Sequence, residues 1–201
     1  MNIVFDFGNV LVRWEPERMF AGLFEGDEAR YWYFWRHVCS PEWRNRIDAG
    51  EEISSCIALQ QQQFPEYAEA LARYDTRWKD SLTGEMPGMR VIVQTLIDLN
   101  EHPVYGLTNW SMETFPQARK MFPILQLIDN YVVSGAVHLV KPDPRIFQLL
   151  LNRFDLRPDE TIFIDDNPDN VAAACQLGMH GIHFTTADNL KQVLQTKYSI
   201  L

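Results

Sequence analysis

Four places in this chain set chemically capable side chains just beyond short apolar runs. Asp6 closes the run that begins at Asn2, Thr108-Asn109 closes Val104-Tyr105-Gly106-Leu107, Lys141-Pro142 lies a short segment beyond Tyr131-Val132-Val133, and Asp165-Asp166-Asn167 closes Thr161-Ile162-Phe163-Ile164. Each has an ordinary reading by itself. A lone Asp after a strand often caps a helix, Thr-Asn can open one, and a Lys before Pro is usually solvated. Together they assemble three carboxylates, a hydroxyl, an amide and one ammonium. The adjacent acids Asp165 and Asp166 repel one another at a buried strand end unless a cation or a shared proton intervenes. A hard divalent cation meets that need, and Mg²⁺ favours a few carboxylates plus waters. A lysine in the same pocket could hold an anionic substrate group beside a carboxylate. Such a set suits phosphoryl transfer, in which catalysis is mainly positioning and charge neutralisation. Asp6 is then a candidate nucleophile, because a carboxylate can attack phosphorus to give an aspartyl-phosphate.

These residues need a scaffold that gathers strand ends. Short β-branched apolar runs fall at 2–6, 103–108, 130–134, 161–165 and 181–184, and helix-like segments at 88–100, 111–122, 144–154, 168–178 and 187–197 separate the later ones. Strands alternating with helices predict βαβ units and a parallel sheet. In open α/β sheets, chemistry sits at the carboxyl ends of the strands. Residues 14–84 break the alternation: they offer no convincing strand and are rich in helix formers and aromatics, including Arg30-Tyr31-Trp32-Tyr33-Phe34-Trp35-Arg36-His37. The expectation is an α/β protein with a Rossmann-like parallel core, residues 1–13 and 85–201, and an inserted helical cap, residues 14–84. The aromatic cluster reads as helix packing inside the insert.

Composition narrows the partners. Of 201 residues, 46% are hydrophobic and 22% charged, which fits a globular chain with a sizeable core. The net charge of −9 argues against nucleic acid or an anionic membrane as partner. A small anionic substrate stays compatible, because a pocket can be locally positive. Three widely spaced cysteines, Cys39, Cys56 and Cys175, form no zinc pair and no disulfide framework. Without a basic, long-apolar leader or a membrane-length apolar run, the expected location is the cytoplasm.

The order Asp…Thr-Asn…Lys-Pro…Asp-Asp resembles the haloacid dehalogenase-like hydrolase superfamily, nearly over the whole chain. Phe5-Asp6-Phe7-Gly8-Asn9-Val10-Leu11-Val12 is similar to its first motif, Leu107 to Ser111 to its second, Val140 to Phe147 to its third and Ile162 to Met179 to its fourth. The closest resemblance is to the subgroup of α-D-glucose-1-phosphate phosphatase-like enzymes and the N-terminal phosphatase domain of soluble epoxide hydrolase. It implies a Mg²⁺-dependent phosphatase acting on a small phosphorylated metabolite, such as a sugar phosphate. Asp6 would be nucleophile and metal ligand, the Gly8 carbonyl and Asp166 further ligands, and Asn9, Asp165 and Asn170 supporting residues. Thr108, Asn109 and Lys141 would bind the phosphoryl group, and Lys141 would also neutralise charge beside Asp6. The backbone N–H groups of residues 7–9 could form an anion nest.

One position departs from the family pattern. Most phosphatases of the superfamily carry a second Asp two residues after the nucleophile, as general acid and base; here that position is Gly8. The glucose-1-phosphate phosphatase-like subgroup also shows Asp-x-Gly-Asn-Val. Gly8 suggests a sharp turn that bares a carbonyl, and a preference for good leaving groups. Asp165 and Glu42 are the nearest replacement acids. Two alternatives stand beside the phosphatase: a metal-free 2-haloacid dehalogenase, and a weakly catalytic binding or regulatory module. In the cap, the polar, turn-rich segment 39–51 offers Trp43 for stacking on a sugar and Arg44 or Arg46 for a second anion, or else it is a surface connection. Trp14 and Trp110, near motif positions, are candidates for the pocket mouth.

Overall fold

A computed structural model describes all 201 residues. The central sheet is β1 (Asn2–Phe5), β4 (Val104–Thr108), β5 (Tyr131–Val133), β6 (Thr161–Asp165) and β7 (His180–His183), all parallel, in the order β5-β4-β1-β6-β7. Strands buried on both faces need no polar alternation, so β1 and β6 read as continuous apolar runs. Their side chains still alternate between two cores. Ile3, Phe5, Ile162 and Ile164 enter one; Val4 and Phe163 enter the other.

Helices cover both faces. α5 (Met89–Leu99), α6 (Phe115–Met121) and α10 (Ala187–Tyr198) send Ile92, Leu96, Phe115 and Leu194 into the first core. α8 (Pro144–Arg153) and α9 (Pro168–Gln176) send Phe147, Leu150 and Ala174 into the second. A one-turn helix, α7 (Ser134–Val137), follows β5 directly.

Between β1 and α5 lie α1 (Glu28–Tyr33), α2 (Pro41–Asp48), α3 (Ile53–Gln63) and α4 (Ala68–Thr76). They enclose a separate core around Phe20, Phe34, Trp43, Ile47 and Leu71. Phe34 is fully buried and meets Phe20, Phe24 and Tyr67 at centroid distances of 4.9, 5.2 and 5.4 Å. The aromatic cluster of 30–37 thus contributes to helix packing, although Trp32 and Tyr33 stay exposed.

The region 14–84 is not strandless. β2 (Val12–Trp14) pairs antiparallel with β3 (Leu82–Glu85), a two-stranded ribbon separate from the main sheet. These strands are three and four residues long and β3 carries a glycine, so neither shows a sequence period. The segment 39–51 is likewise less turn-rich than its composition suggests. Ser40 Oγ accepts from Trp43 N at 3.3 Å and Pro41 occupies the first turn, so Ser-Pro starts a two-turn helix here.

Candidate active site

The strand order places β1 between β4 and β6, where the winding of the sheet reverses. The crevice beyond the carboxyl ends opens there. Asp6, Thr108 and Asp165 stand at the ends of those three strands. A cavity of about 610 Å³ lies above them, between sheet and helical insert; Asp6, Gly8, Asn9, Asn109, Lys141 and Asp166 are among its core-side walls.

Lys141 organises the floor. Its Nζ lies 2.9 Å from Asp6 Oδ1 and 2.7 Å from Asp165 Oδ2, and donates to Leu107 O at 3.0 Å. An ammonium has three donors, and here all three have partners within the chain. Lys141 therefore bridges two carboxylates, where the sequence suggested a direct phosphate contact. Burial pulls its pKa down, but Asp6 and Asp165 outweigh this and hold it above the ordinary lysine value.

Asp165 is fully buried and also accepts from Asn167 N at 2.8 Å and from Asn170 Nδ2 at 3.1 Å. The adjacent acids thus have a cation already, on the Asp165 side. Asp6 Oδ1 accepts from Phe7 N at 2.7 Å. Burial pushes the Asp6 carboxyl up to about 7, against the pull of Lys141, and Asp165 and Asp166 add to the rise. Asp166 is raised too, by burial first and Asp165 second. One ammonium does not balance three carboxylates.

The turn after β1 differs from expectation. Gly8 does not have a positive φ, and a Cβ added there would meet nothing within 4 Å. The left-handed residue is Asn9, at φ 52°, a conformation that Asn tolerates. Its side chain holds the turn by accepting from Trp14 N at 2.9 Å and donating to Asp166 Oδ2 at 3.2 Å. The nest of residues 7–9 does not form: Phe7 N is taken by Asp6, and Asn9 N donates to Val12 O at 2.7 Å.

Asn109 clamps rather than reaches out. Its Nδ2 donates to Lys141 O at 3.0 Å and its Oδ1 accepts from Lys141 N at 2.8 Å, which leaves its backbone N–H and the second Nδ2 hydrogen for a ligand. Thr108 is buried at the strand end and is not part of the cavity wall.

The residues fit a hard cation. Oxygens of Asp6, Asp165 and Asp166 lie within 4.8 Å of one another. Asn170 Oδ1 is buried without a partner, and the Gly8 carbonyl has no backbone donor. All these donors are oxygens, and the site carries excess negative charge.

The sequence pattern of haloacid dehalogenase-like hydrolases matches residues 45–184, more than half of the chain. The chain belongs to this family. Among its relatives, a sesquiterpene phosphatase of Aspergillus oryzae is 38% identical over 82 residues, 41% of this chain and 42% of that protein. An (S)-2-haloacid dehalogenase of a Pseudomonas species is 26% identical over 76 residues, 38% of this chain and 34% of that one. The chain thus matches less than half the length of either relative. A haloacid dehalogenase-family enzyme of Bacteroides thetaiotaomicron, crystallised with magnesium and inorganic phosphate, shares the fold. Its TM-score is 0.69 at 19% identity, covering 92% of this chain and 94% of that one. The Rossmann-like fold read from the strand pattern is the fold of this hydrolase family.

The cap candidates separate. Trp14, Trp110 and Arg44 line the cavity. Arg44 stacks 4.3 Å from the Trp35 ring and donates to the carbonyls of Trp35 and Cys39. Trp43 does not reach the cavity: it is buried, donates Nε1 to Cys56 O at 3.2 Å and packs edge-on to Tyr74. Arg46 points away and pairs with Glu51 at 2.6 Å. Helix geometry explains the split. Residues 41, 44, 45 and 48 share one face of α2, residues 43 and 47 face the cap core, and 46 faces solvent. The same face carries Asp48, which the sequence did not single out. Read as a helix, the segment would have shown it, four residues after Arg44.

No helix is long and apolar enough to cross a membrane.

Proposed function

We propose that this hydrolase is a Mg²⁺-dependent phosphatase that acts on a small phosphorylated metabolite through an aspartyl-phosphate. The observation that carries this is the charge balance at the strand ends, where three carboxylates share one buried lysine beneath a cavity of about 610 Å³. A dication brings that sum to neutrality and makes room for a dianionic phosphoryl group. A haloacid, itself a carboxylate, would enter a site of net negative charge without such an ion, so the dehalogenase reading is disfavoured. The intact Asp6–Lys141 pair likewise speaks for catalysis over a binding module.

Asp6, Asp166 and the Gly8 carbonyl would hold the metal. When bound, it supplies positive charge against the phosphoryl oxygens. Lys141 fixes the Asp6 carboxylate, with Phe7 N, so that it is aimed before the substrate arrives. An Asp6 oxygen bonds to phosphorus as the bond to the leaving oxygen breaks; water then releases phosphate and regenerates Asp6. Trp14, Trp110 and Arg44 would read the leaving group, with sugars among the groups such aromatic walls accept.

The experiment is phosphate release from p-nitrophenyl phosphate and a panel of sugar phosphates, with Mg²⁺ and with EDTA. Chloride release from 2-chloropropionate is followed in parallel. Activity that EDTA abolishes and Mg²⁺ restores is expected. Full activity in EDTA, or chloride release, would overturn the reading.

A further inference from the structure

We propose that Asp48, delivered by the cap, is the general acid and base of this site, taking the place that Gly8 leaves without a carboxyl. This rests on the phosphatase reading above.

Asp48 is the last residue of α2, half-buried, and lines the same cavity as Asp6 and Gly8. Its carboxyl has no hydrogen-bond or ion-pair partner in the chain. Its backbone, by contrast, is docked on the core. Ser134 Oγ donates to Asp48 O at 2.6 Å and accepts from Trp110 N at 2.8 Å, which ties the helix end to the loop after β4. His138 Nδ1 lies 2.8 Å from Ala49 O. Gly50, at φ 96°, lies so close to α7 that a Cβ there would be 2.5 Å from Gly135 O. A carboxyl whose backbone is held by three core contacts, yet which is left free at its own oxygens, is placed for a partner that arrives with the substrate.

The other acids do not qualify. Asp165 is saturated by Lys141, Asn167 and Asn170. Glu42 is exposed and off the cavity wall. Asp169 is solvent-exposed at the rim. The charged and titratable groups that act on Asp48 are Arg44 from its own helix, Tyr74 from α4 and Lys141 from the core, while Asp6 and Asp166 line the same cavity. Tyr74 is driven far above the ordinary phenol value, by burial first, so it moves no proton near neutrality. Burial raises Asp48 to about 7 against the pull of Arg44 and Lys141, so both protonation states are populated near neutral pH. The open space at Gly8 leaves the leaving oxygen reachable from the cap side.

In the first step, Asp48–COOH gives its proton to the leaving oxygen as the bond from phosphorus to that oxygen breaks and Asp6 bonds to phosphorus. In the second, Asp48–COO⁻ takes a proton from the water that attacks phosphorus, and the Asp6–phosphorus bond breaks. The acid ends as it began.

The test measures kcat/KM for phenyl phosphate and 2,4-dinitrophenyl phosphate across pH with the Mg²⁺-loaded full chain, for wild type, Asp48→Asn and Asp6→Asn. Asp48→Asn is expected to lose about 10²–10⁴-fold on phenyl phosphate and less than about tenfold on the dinitrophenyl ester, whose leaving group needs little proton help. The wild-type decline above pH about 7 should vanish in Asp48→Asn. Activity that depends on Asp6 but is unchanged in Asp48→Asn overturns this proposal alone. No Asp6-dependent activity in wild type overturns the phosphatase reading and this proposal with it. Should Asp48→Asn not fold, the wild-type aryl series decides: a shallow dependence on leaving group with the alkaline decline supports Asp48, and a steep dependence overturns it.

Discussion

Replacing Lys141 by methionine removes the only cation among the buried acids while nearly keeping the side-chain volume. The structure sets the size of the effect. Lys141 is buried and faces two carboxylates, Asp6 and Asp165, at 2.9 and 2.7 Å, so its loss breaks a buried pair on both sides. Breaking one such pair by removing a partner costs about 3–5 kcal/mol. For a chain of this size each kcal/mol moves Tm by about 2–4 °C, so a fall of about 6–20 °C is expected. The loss should also depend on pH. Asp6 titrates near 7 with Lys141 beside it, and losing that ammonium raises it further, so in the variant ionising Asp6 costs the fold more as pH rises past 7. At pH 5 Asp6 carries its proton and the burden shrinks. Calorimetry at pH 8 and pH 5, without divalent ions, measures both. A loss below about 1 kcal/mol at pH 8, or equal losses at the two pH values, would refute the assignment of Lys141 as the charge that holds these acids together.

Asp6→Asn should abolish turnover, yet in metal-free buffer at pH 8 its Tm should match or exceed wild type. Asp6 has a folded pKa above its unfolded one, so ionising it weakens the fold as pH rises toward about 7, and Asn carries no such cost; a clear fall in Tm would count against the excess of negative charge. Trp43→Ala should destabilise the chain by about 3–5 kcal/mol in urea unfolding, as for a buried aromatic in a core, whereas Arg46→Ala should change neither stability nor KM for any substrate. Gly8→Asp should fold, since its Cβ meets nothing, and in an Asp48→Asn background it should recover at least about tenfold on phenyl phosphate. No recovery in a folded double variant would mean that position 8 does not face the leaving oxygen.

The parallel core was legible because burial on both faces writes itself into sequence as apolar runs, and a carboxylate at the end of such a run stands out. Asp6, Lys141 and Asp165 were found that way. Their bonding was not legible. Nothing in the order of residues says that Lys141 spends its donors on Asp6, Asp165 and Leu107 O, or that Asn109 turns its amide back on the Lys141 backbone. Those are contacts between segments more than 20 residues apart. Gly8 misled for a different reason. A glycine after a strand suggests a special backbone angle, but the angle belongs to Asn9, whose side chain makes the turn's bonds. In the cap, composition was the wrong guide. Ser-Pro and a run of charges look like a loop until the Ser40 cap is recognised, and only the helical period sorts Arg44 and Asp48 from Trp43 and Arg46.

Where the acid sits changes what the cap does. An acid at position 8 would be built into the turn after β1 and would stay beside Asp6 whatever the cap was doing. Asp48 is held there by the junction of α2 with α7, beside the bond from Ile53 N to Glu113 at 2.8 Å. Each such hydrogen bond contributes about 0.5–1.5 kcal/mol, so the junction is modest, and closely packed at Gly50 and Gly135. Proton delivery then requires a docked cap, and a docked cap also walls the cavity with Trp14, Arg44 and Tyr74. Leaving-group recognition and leaving-group protonation therefore share one structural condition. A substrate too large to let α2 meet Ser134 could still have its phosphorus reached by Asp6, but it would lack the proton that its departing oxygen needs. Gly8 enforces this selectivity by offering no second acid that would act without the cap.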